Sequence, residues 1–375
     1  MRKIQIAFIG VVLILILCPL VFFNGKGLIS KRENRYLATH PKFVRDGKFN
    51  SNFFNECNLY ASDRFGMRNR LISLNAKINY EVLHGAVFSD SAIEGKDGWL
   101  FYTDTLGKDE GNLYDFFKRN LMTNEECAEF RKKIENAVQW CKNEKIPFIF
   151  LLCPNKHSVY SEYYPFVRPD GISRADQVTA IFDELGVPYI FPRDYLINKK
   201  SEYDCPLYYE TDGHWNPLGA YLTSRLFFEK LKSFFPTVAF PEISYNMTVG
   251  FSMTEGDLMR NLATKLDKRK STRPEFSPVG TMNQNLYTYL KNDLRNGVQT
   301  KGAQPDLPRA LIFRDSFFIA LEPFVSPFFS EAEYIWKNFS IEDEDYVRQY
   351  KPDIIVFEAV ERYALRIVSD ICAEK

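Results

Sequence analysis

Arg309-Ala310-Leu311-Ile312-Phe313-Arg314-Asp315-Ser316-Phe317 is an apolar run, a short polar turn and the first residues of a second apolar segment. The run is apolar without alternation, which marks a strand buried on both faces. Such a strand, leaving its sheet through a tight turn into a helix, belongs to a parallel α/β arrangement. The flanking sequence repeats the pattern. Strand signals at 147–153, 187–191, 334–336 and 353–358 alternate with helical spacing at 125–143, 174–185, 216–235, 341–350 and 362–371. The expected fold class is α/β, an α/β/α sandwich around a parallel sheet. Residues 240–304 show the least regular pattern and read as an irregular insertion, with Gly256-Asp257-Leu258 as a turn. Upstream, 49–83 reads as two helices broken near Phe65-Gly66, and Lys96-Asp97-Gly98 before an apolar run signals a hairpin.

The composition excludes some classes. Forty-eight basic residues balance 48 acidic ones, so no basic excess points to nucleic acid. Seven cysteines at irregular spacing include no CxxC pair and no Cys/His cluster, so neither a structural zinc site nor a disulfide scaffold is expected. One or two disulfides stay open. The 33 Phe and 21 Tyr suit either an aromatic core or platforms for sugar rings, and composition does not choose between them.

Arg2 and Lys3 precede an apolar run from Ile4 to Phe23 that no charge breaks. At about 20 residues it has the length of a bilayer-spanning helix. Leu20-Val21-Phe22-Phe23-Asn24 lacks the small residues of a cleavage site, so an uncleaved signal anchor is expected rather than a cleaved signal peptide. The expected organisation is an anchor over 1–24, a linker over 25–46 and one domain over 47–375, with the domain exported across the membrane.

Four histidines are available as bases: His40, His84, His157 and His214. His214 stands in Thr211-Asp212-Gly213-His214-Trp215-Asn216, directly before a helix. Asp212 and His214 are two apart, so both can point one way from an extended or turn backbone. A carboxylate beside an imidazole sets its tautomer and stabilises the imidazolium. The alternative is that Asp212 or Asn216 caps the helix and His214 is simply exposed. Ser316, on a strand-to-helix turn, is placed either as a nucleophile with nearby backbone donors or as a helix cap.

Asp315-Ser316-Phe317 after a strand, with Asp212-Gly213-His214-Trp215-Asn216 and Gly219-Ala220 upstream, resembles the alginate O-acetyltransferase family, also called the DHHW family of exported SGNH-hydrolase-like proteins. Glu33-Asn34-Arg35, Asp63-Arg64-Phe65-Gly66-Met67-Arg68, the block from Gly95 to Tyr102, Pro154-Asn155-Lys156, Gly256-Asp257-Leu258 and Glu361-Arg362 resemble its other blocks. Gly213 departs from the pattern by replacing the first His of D-H-H-W. The resemblance implies an SGNH-hydrolase-like fold, with Ser316 as nucleophile, His214 as base then acid, and Asp212 as orienter. Asn155, Lys156, Tyr160 and Arg314 are expected to border the site as substrate or oxyanion contacts, together with the Ser316 amide. No cofactor is expected. The implied substrate is a polysaccharide, and the implied acetyl donor is a polytopic membrane O-acyltransferase. A carbohydrate acetyl-esterase and a non-catalytic glycan-binding assembly component are the rival functions.

Overall fold

The computed structural model describes residues 5–6, 8–10, 17, 21–25, 29–30, 35–45, 47–68, 70–71, 74, 92–103, 112–252, 256–261, 271–279, 286–293, 297–340 and 343–368. Contacts divide the chain into two compact units, 1–93 with 257–268, and 94–256 with 269–375.

Among the described residues the larger unit is built on seven strands of one sheet and a separate hairpin, besides the short strand Leu100–Tyr102 that pairs with Ala92–Glu94. In chain order the strands of the sheet and hairpin are β1 (Phe148–Cys153), β2 (Tyr189–Ile190), β3 (Tyr245–Ser252), β4 (Ser271–Pro278), β5 (Tyr287–Asp293), β6 (Gly297–Gly302), β7 (Arg309–Phe313), β8 (Glu331–Ile335) and β9 (Ile354–Val360). The sheet order is β5-β6-β8-β7-β9-β1-β2, and β3 pairs β4 as an antiparallel hairpin. From β8 to β2 every pairing is parallel. β6 joins β8 antiparallel, and β5 joins β6 antiparallel. The expected all-parallel sheet is therefore corrected to a mixed one. The irregular insertion expected over 240–304 supplies four strands, two of which extend the sheet. These strands escaped notice because β5 is an exposed edge strand and β6 is only half covered, so neither carries the continuous apolar run of a central strand.

The central strands behave as expected. β1 and β9 are buried at every position. On one face, Phe150, Phe313 and Phe357 pack in one core with Phe182 and Phe339, and the Phe150 and Phe182 rings stack 5.0 Å apart. This face is covered by α2 (Asn124–Glu144), α3 (Arg174–Glu184) and α6 (Glu344–Tyr350). Thr123 and Glu126 form a capping box that starts α2, and Ser173 and Asp176 do the same for α3. α4 (Pro217–Phe234) and α5 (Phe318–Val325) pack on each other, and the Phe318 ring of α5 meets the Tyr334 ring of β8 at 5.7 Å. Much of the aromatic content is thus core.

Two smaller expectations change. Of the helix expected over 362–371, the described part is a 3-10 turn over Glu361–Arg366, and 369–371 lie outside the described residues. Gly256-Asp257-Leu258 does not form an isolated turn, because a short helix spans Asp257–Asn261. In the smaller unit, α1 (Phe53–Arg64) ends with the Arg64 guanidinium donating to the Asn24 and Ala38 carbonyls. Among the described residues no helix is long and apolar enough to cross a membrane, and most of the apolar run 4–23 falls outside them. Cys57, Cys127, Cys141, Cys153 and Cys205 are free thiols.

The strand ends position the site. β1, β7 and β9 run parallel and end at Cys153, Phe313 and Val360. The segments beginning at 154, 314 and 361 therefore leave from one edge of the sheet.

Candidate active site

His214 is carried by a tight hairpin, 207–216, whose stem is closed by an isolated bridge between Tyr208 and Trp215 and by Asn216 N–H donating to Leu207 C=O at 3.0 Å. Asn216 then caps α4, its side-chain oxygen accepting from Leu218 N–H at 2.9 Å and Gly219 N–H at 3.3 Å. Gly219 is required here, since a Cβ on it would lie 2.5 Å from the Leu207 carbonyl oxygen. Capping by Asn216 frees Asp212 for other work. Asp212 Oδ1 accepts from the His214 backbone N–H at 3.0 Å and from Nδ1 at 2.6 Å. That leaves Nε2 as the acceptor, and Ser316 Oγ donates to it at 2.8 Å.

Ser316 does not cap a helix. The cap position of α5 is Phe317, and no side chain caps it. The turn is held instead by Asp315, whose carboxylate accepts from Phe317 N–H and Val360 N–H, both at 2.8 Å. Asp315 N–H donates to Glu358 at 2.7 Å. Burial, then the Asp315 carboxylate, push the Glu358 carboxyl well above the usual range. Trp215 joins the two motifs directly: its indole N–H donates to the Phe317 carbonyl at 2.8 Å, and its ring meets Phe317 edge-on. The line Asp212–His214–Ser316 has the connectivity of an orienter, a base and a nucleophile.

A model of an SGNH hydrolase-like domain, that of acetyltransferase AlgX, matches residues 92–292, more than half of the chain. The chain belongs to the AlgX family. Its enzyme class is accordingly that of an acetyltransferase, as expected for an O-acetyltransferase. Solved structures similar to this AlgX-family chain include PatB1 of Bacillus cereus, with a TM-score of 0.53 and 16% identity over 73% of this chain and 96% of that one. The O-acetyltransferase domain of Pseudomonas putida AlgJ gives a TM-score of 0.49 at 16% identity, over 74% and 94% of the two chains. A DHHW family protein from Eubacterium siraeum gives 0.47 at 16% identity, over 76% and 98%. No curated protein matches in sequence. The matched residues of the AlgX model include Asp212 and His214 but stop before Ser316, so the serine's place beside them comes from the folded geometry.

Of the flanking residues expected at the AlgX-family site, Lys156, Tyr160 and Asn155 are placed as supports. Lys156 is buried, and its ammonium donates to the carbonyls of Leu100, Tyr209, Glu210 and Asp212 at 2.6–3.1 Å. It thereby clamps the hairpin that carries Asp212. The sequence signal for this role was slight, because a lysine after a strand reads as solvated charge. Tyr160 accepts at its hydroxyl from Leu207 N–H at 2.8 Å, bracing the same hairpin. Asn155 donates to Asp115 and accepts from Arg362, both at 3.0 Å, and is fully buried. Arg314 is buried, with its guanidinium carbon 4.4 Å from the centre of the Trp336 ring.

His157 is not a second base. It is fully buried, with Nε2 3.1 Å from Asp115 Oδ2, and a substrate has no path to it. Burial lowers the His157 pKa against the pull of Asp115. Burial raises the Asp115 carboxyl, but His157, Arg174 and Asn155 outweigh it and hold the acid below its usual range. Glu361 belongs to the same network, accepting from the Asn155 backbone N–H at 2.7 Å. Burial, then the Asp115 charge, push Glu361 up to about 7. Folded Glu361 thus keeps its proton to higher pH than the unfolded chain does, so its contribution to stability falls as pH rises from its ordinary value of 4.5 towards 7 and is level above that. Glu361→Gln should remove this loss, so that the variant gains stability relative to the parent as pH rises from 5 to 8. Urea unfolding of both proteins at the two pH values checks it, and a pH-independent difference would rule out Glu361 as the titrating group.

Proposed function

We propose that this AlgX-family chain moves acetyl groups to hydroxyls of an extracytoplasmic polysaccharide through an acetyl-Ser316 enzyme. The observation that carries the reading is the continuous hydrogen-bond line from Asp212 through His214 to Ser316 Oγ. In the first half-reaction Ser316 Oγ attacks the acetyl carbonyl of a donor, and His214 Nε2 takes the serine proton. The tetrahedral oxyanion is met by the Ser316 amide and the positive end of α5. Collapse expels the donor's leaving group, which receives the proton from His214. In the second half a sugar hydroxyl attacks acetyl-Ser316, gives its proton to His214, and the proton returns to Ser316 as Oγ leaves.

Acetyl-CoA is a cytoplasmic donor, so an exported enzyme needs another source. The resemblance to the alginate O-acetyltransferase family supports a polytopic membrane O-acyltransferase in that role. An anchor over 4–23 would hold the enzyme beside it at high effective concentration. The His214 and Asp212 side chains are 27% and 22% exposed, so a sugar hydroxyl and water can both reach the acyl-enzyme. The chain supplied with an activated acetyl ester and an oligosaccharide should give acetylated sugar as well as acetate. Acetate alone, whatever the acceptor concentration, would make it an esterase. Protease added to spheroplasts should degrade the domain, and protection would place it in the cytoplasm.

A further inference from the structure

Against the helices that follow the two motifs lies a cleft of about 630 Å³, lined by residues other than the triad itself. One wall is the two helices that follow the motifs: Pro217 at the start of α4, and Ala320, Pro323 and Phe324 along α5. Pro217 is three residues after His214, and Ala320 is four after Ser316, about one helical turn. The rest of the lining comes from the β3–β4 hairpin, which packs edge-on against Phe324, and from β5. They contribute Tyr245, Phe276, Tyr287 and Tyr289.

The rings are already in place. Phe276 and Tyr245 each lie 5.3 Å from Phe324, centre to centre, and the Tyr289 hydroxyl donates to buried Glu322 at 2.8 Å. The charged lining residues are Arg273 and Glu275, which form an ion pair at 3.8 Å. The charges along the described lining therefore cancel.

We infer that this cleft is the acceptor subsite, and that it takes a short segment of neutral or N-acetylated glycan rather than a polyuronate. The inference rests on the acyl-transfer reading for its purpose but not for its binding test. Flat aromatic faces suit the apolar faces of pyranose rings, and the Tyr287 and Tyr289 hydroxyls and the ion pair supply polar partners for ring hydroxyls. A polyanion needs a positive field to be held, and complementarity of that kind is missing here. A purely apolar chain would strip water from those polar groups without replacing it. The volume lies in the ordinary range for a small-molecule subsite.

Calorimetric titration of the Ser316→Ala protein separates binding from turnover. The probes are a cello-oligosaccharide, a chito-oligosaccharide and an oligogalacturonate. One neutral probe should bind at least about tenfold more tightly than the uronate. Phe276→Ala and Tyr287→Ala, added singly, should each weaken that binding about three- to tenfold. Tyr287→Phe, which keeps the ring, should retain most of it, and circular dichroism confirms that each variant is folded. Binding that is indifferent to Phe276→Ala and Tyr287→Ala overturns the subsite, as does binding of none of the probes. Tighter binding of the uronate overturns the choice of glycan. A parent protein that binds the neutral probe through these rings but cleaves no acetyl ester leaves the subsite standing and removes the acyl-transfer reading instead.

Discussion

Ser316→Ala should abolish acetyl transfer while leaving the protein folded. The serine makes no cap, and the cap position at the start of α5 is Phe317. The turn around it is held by Asp315 through the Phe317 and Val360 amides, which the substitution leaves alone. The stability change should therefore be below about 1 kcal/mol, within the range for a substitution that removes no cap, core volume or buried network. The rate change is of another order. Without Oγ the covalent route disappears, and removal of a nucleophile in such a unit costs roughly four to six orders of magnitude. His214→Ala should fall to a similar level, and the double variant should be no worse, because the pair acts as one unit. Acetate release from a p-nitrophenyl ester, beside circular dichroism, checks this. A folded Ser316→Ala protein as active as the parent would remove Ser316 from the chemistry and leave a glycan-binding component as the better reading.

Asp212→Asn should cost about a hundredfold to ten-thousandfold in kcat/KM at unchanged stability. The local geometry bears on the mechanism of the loss. Asp212 Oδ1 accepts from both the His214 backbone N–H and Nδ1. In the variant the amide oxygen is the group that fits between those two donors, so the neutral imidazole keeps its tautomer. The missing part is the negative charge that stabilises the imidazolium in the transition state. Asp212→Ala, which removes the acceptor as well, should lose more. Equal losses in the Asn and Ala variants would mean that the Asn side chain turns its amide group towards Nδ1 and forces the wrong tautomer. Activity equal to the parent in both would take Asp212 out of the site.

The physical pattern of the chain made much of this readable beforehand. Residues 148–153 and 309–313 are apolar at nearly every position, and a strand covered on both faces has no other pattern to show. The start of α4 was marked by Asn216 and Pro217, and its spacing carried it to within a residue of the observed end. Ser316 stood out on a turn after an apolar strand, and Asp212 and His214 stood out as a carboxylate and an imidazole two residues apart at a helix entry. β5 and β6 did not stand out. Their exposure is decided by what lies beside them, and 240–304 carries no local sign of its neighbours.

By itself, then, the sequence determined that apolar strands would alternate with amphipathic helices, and which few residues could bear acyl chemistry. Local pattern dictates both, through burial and turn geometry. The fold alone decided which role each candidate takes. Ser316 and Asn216 are both credible caps on paper, but the chain makes Asn216 the cap and hands Ser316 to a histidine 102 residues away. Lys156 reads as surface charge until four carbonyls from two segments converge on it. His157 stays available as a base on paper until packing buries it with Asp115, while His214 is left partly open. Each of these outcomes depends on contacts between residues far apart in the chain, and those distances exist only once the sheet has brought its strand ends together.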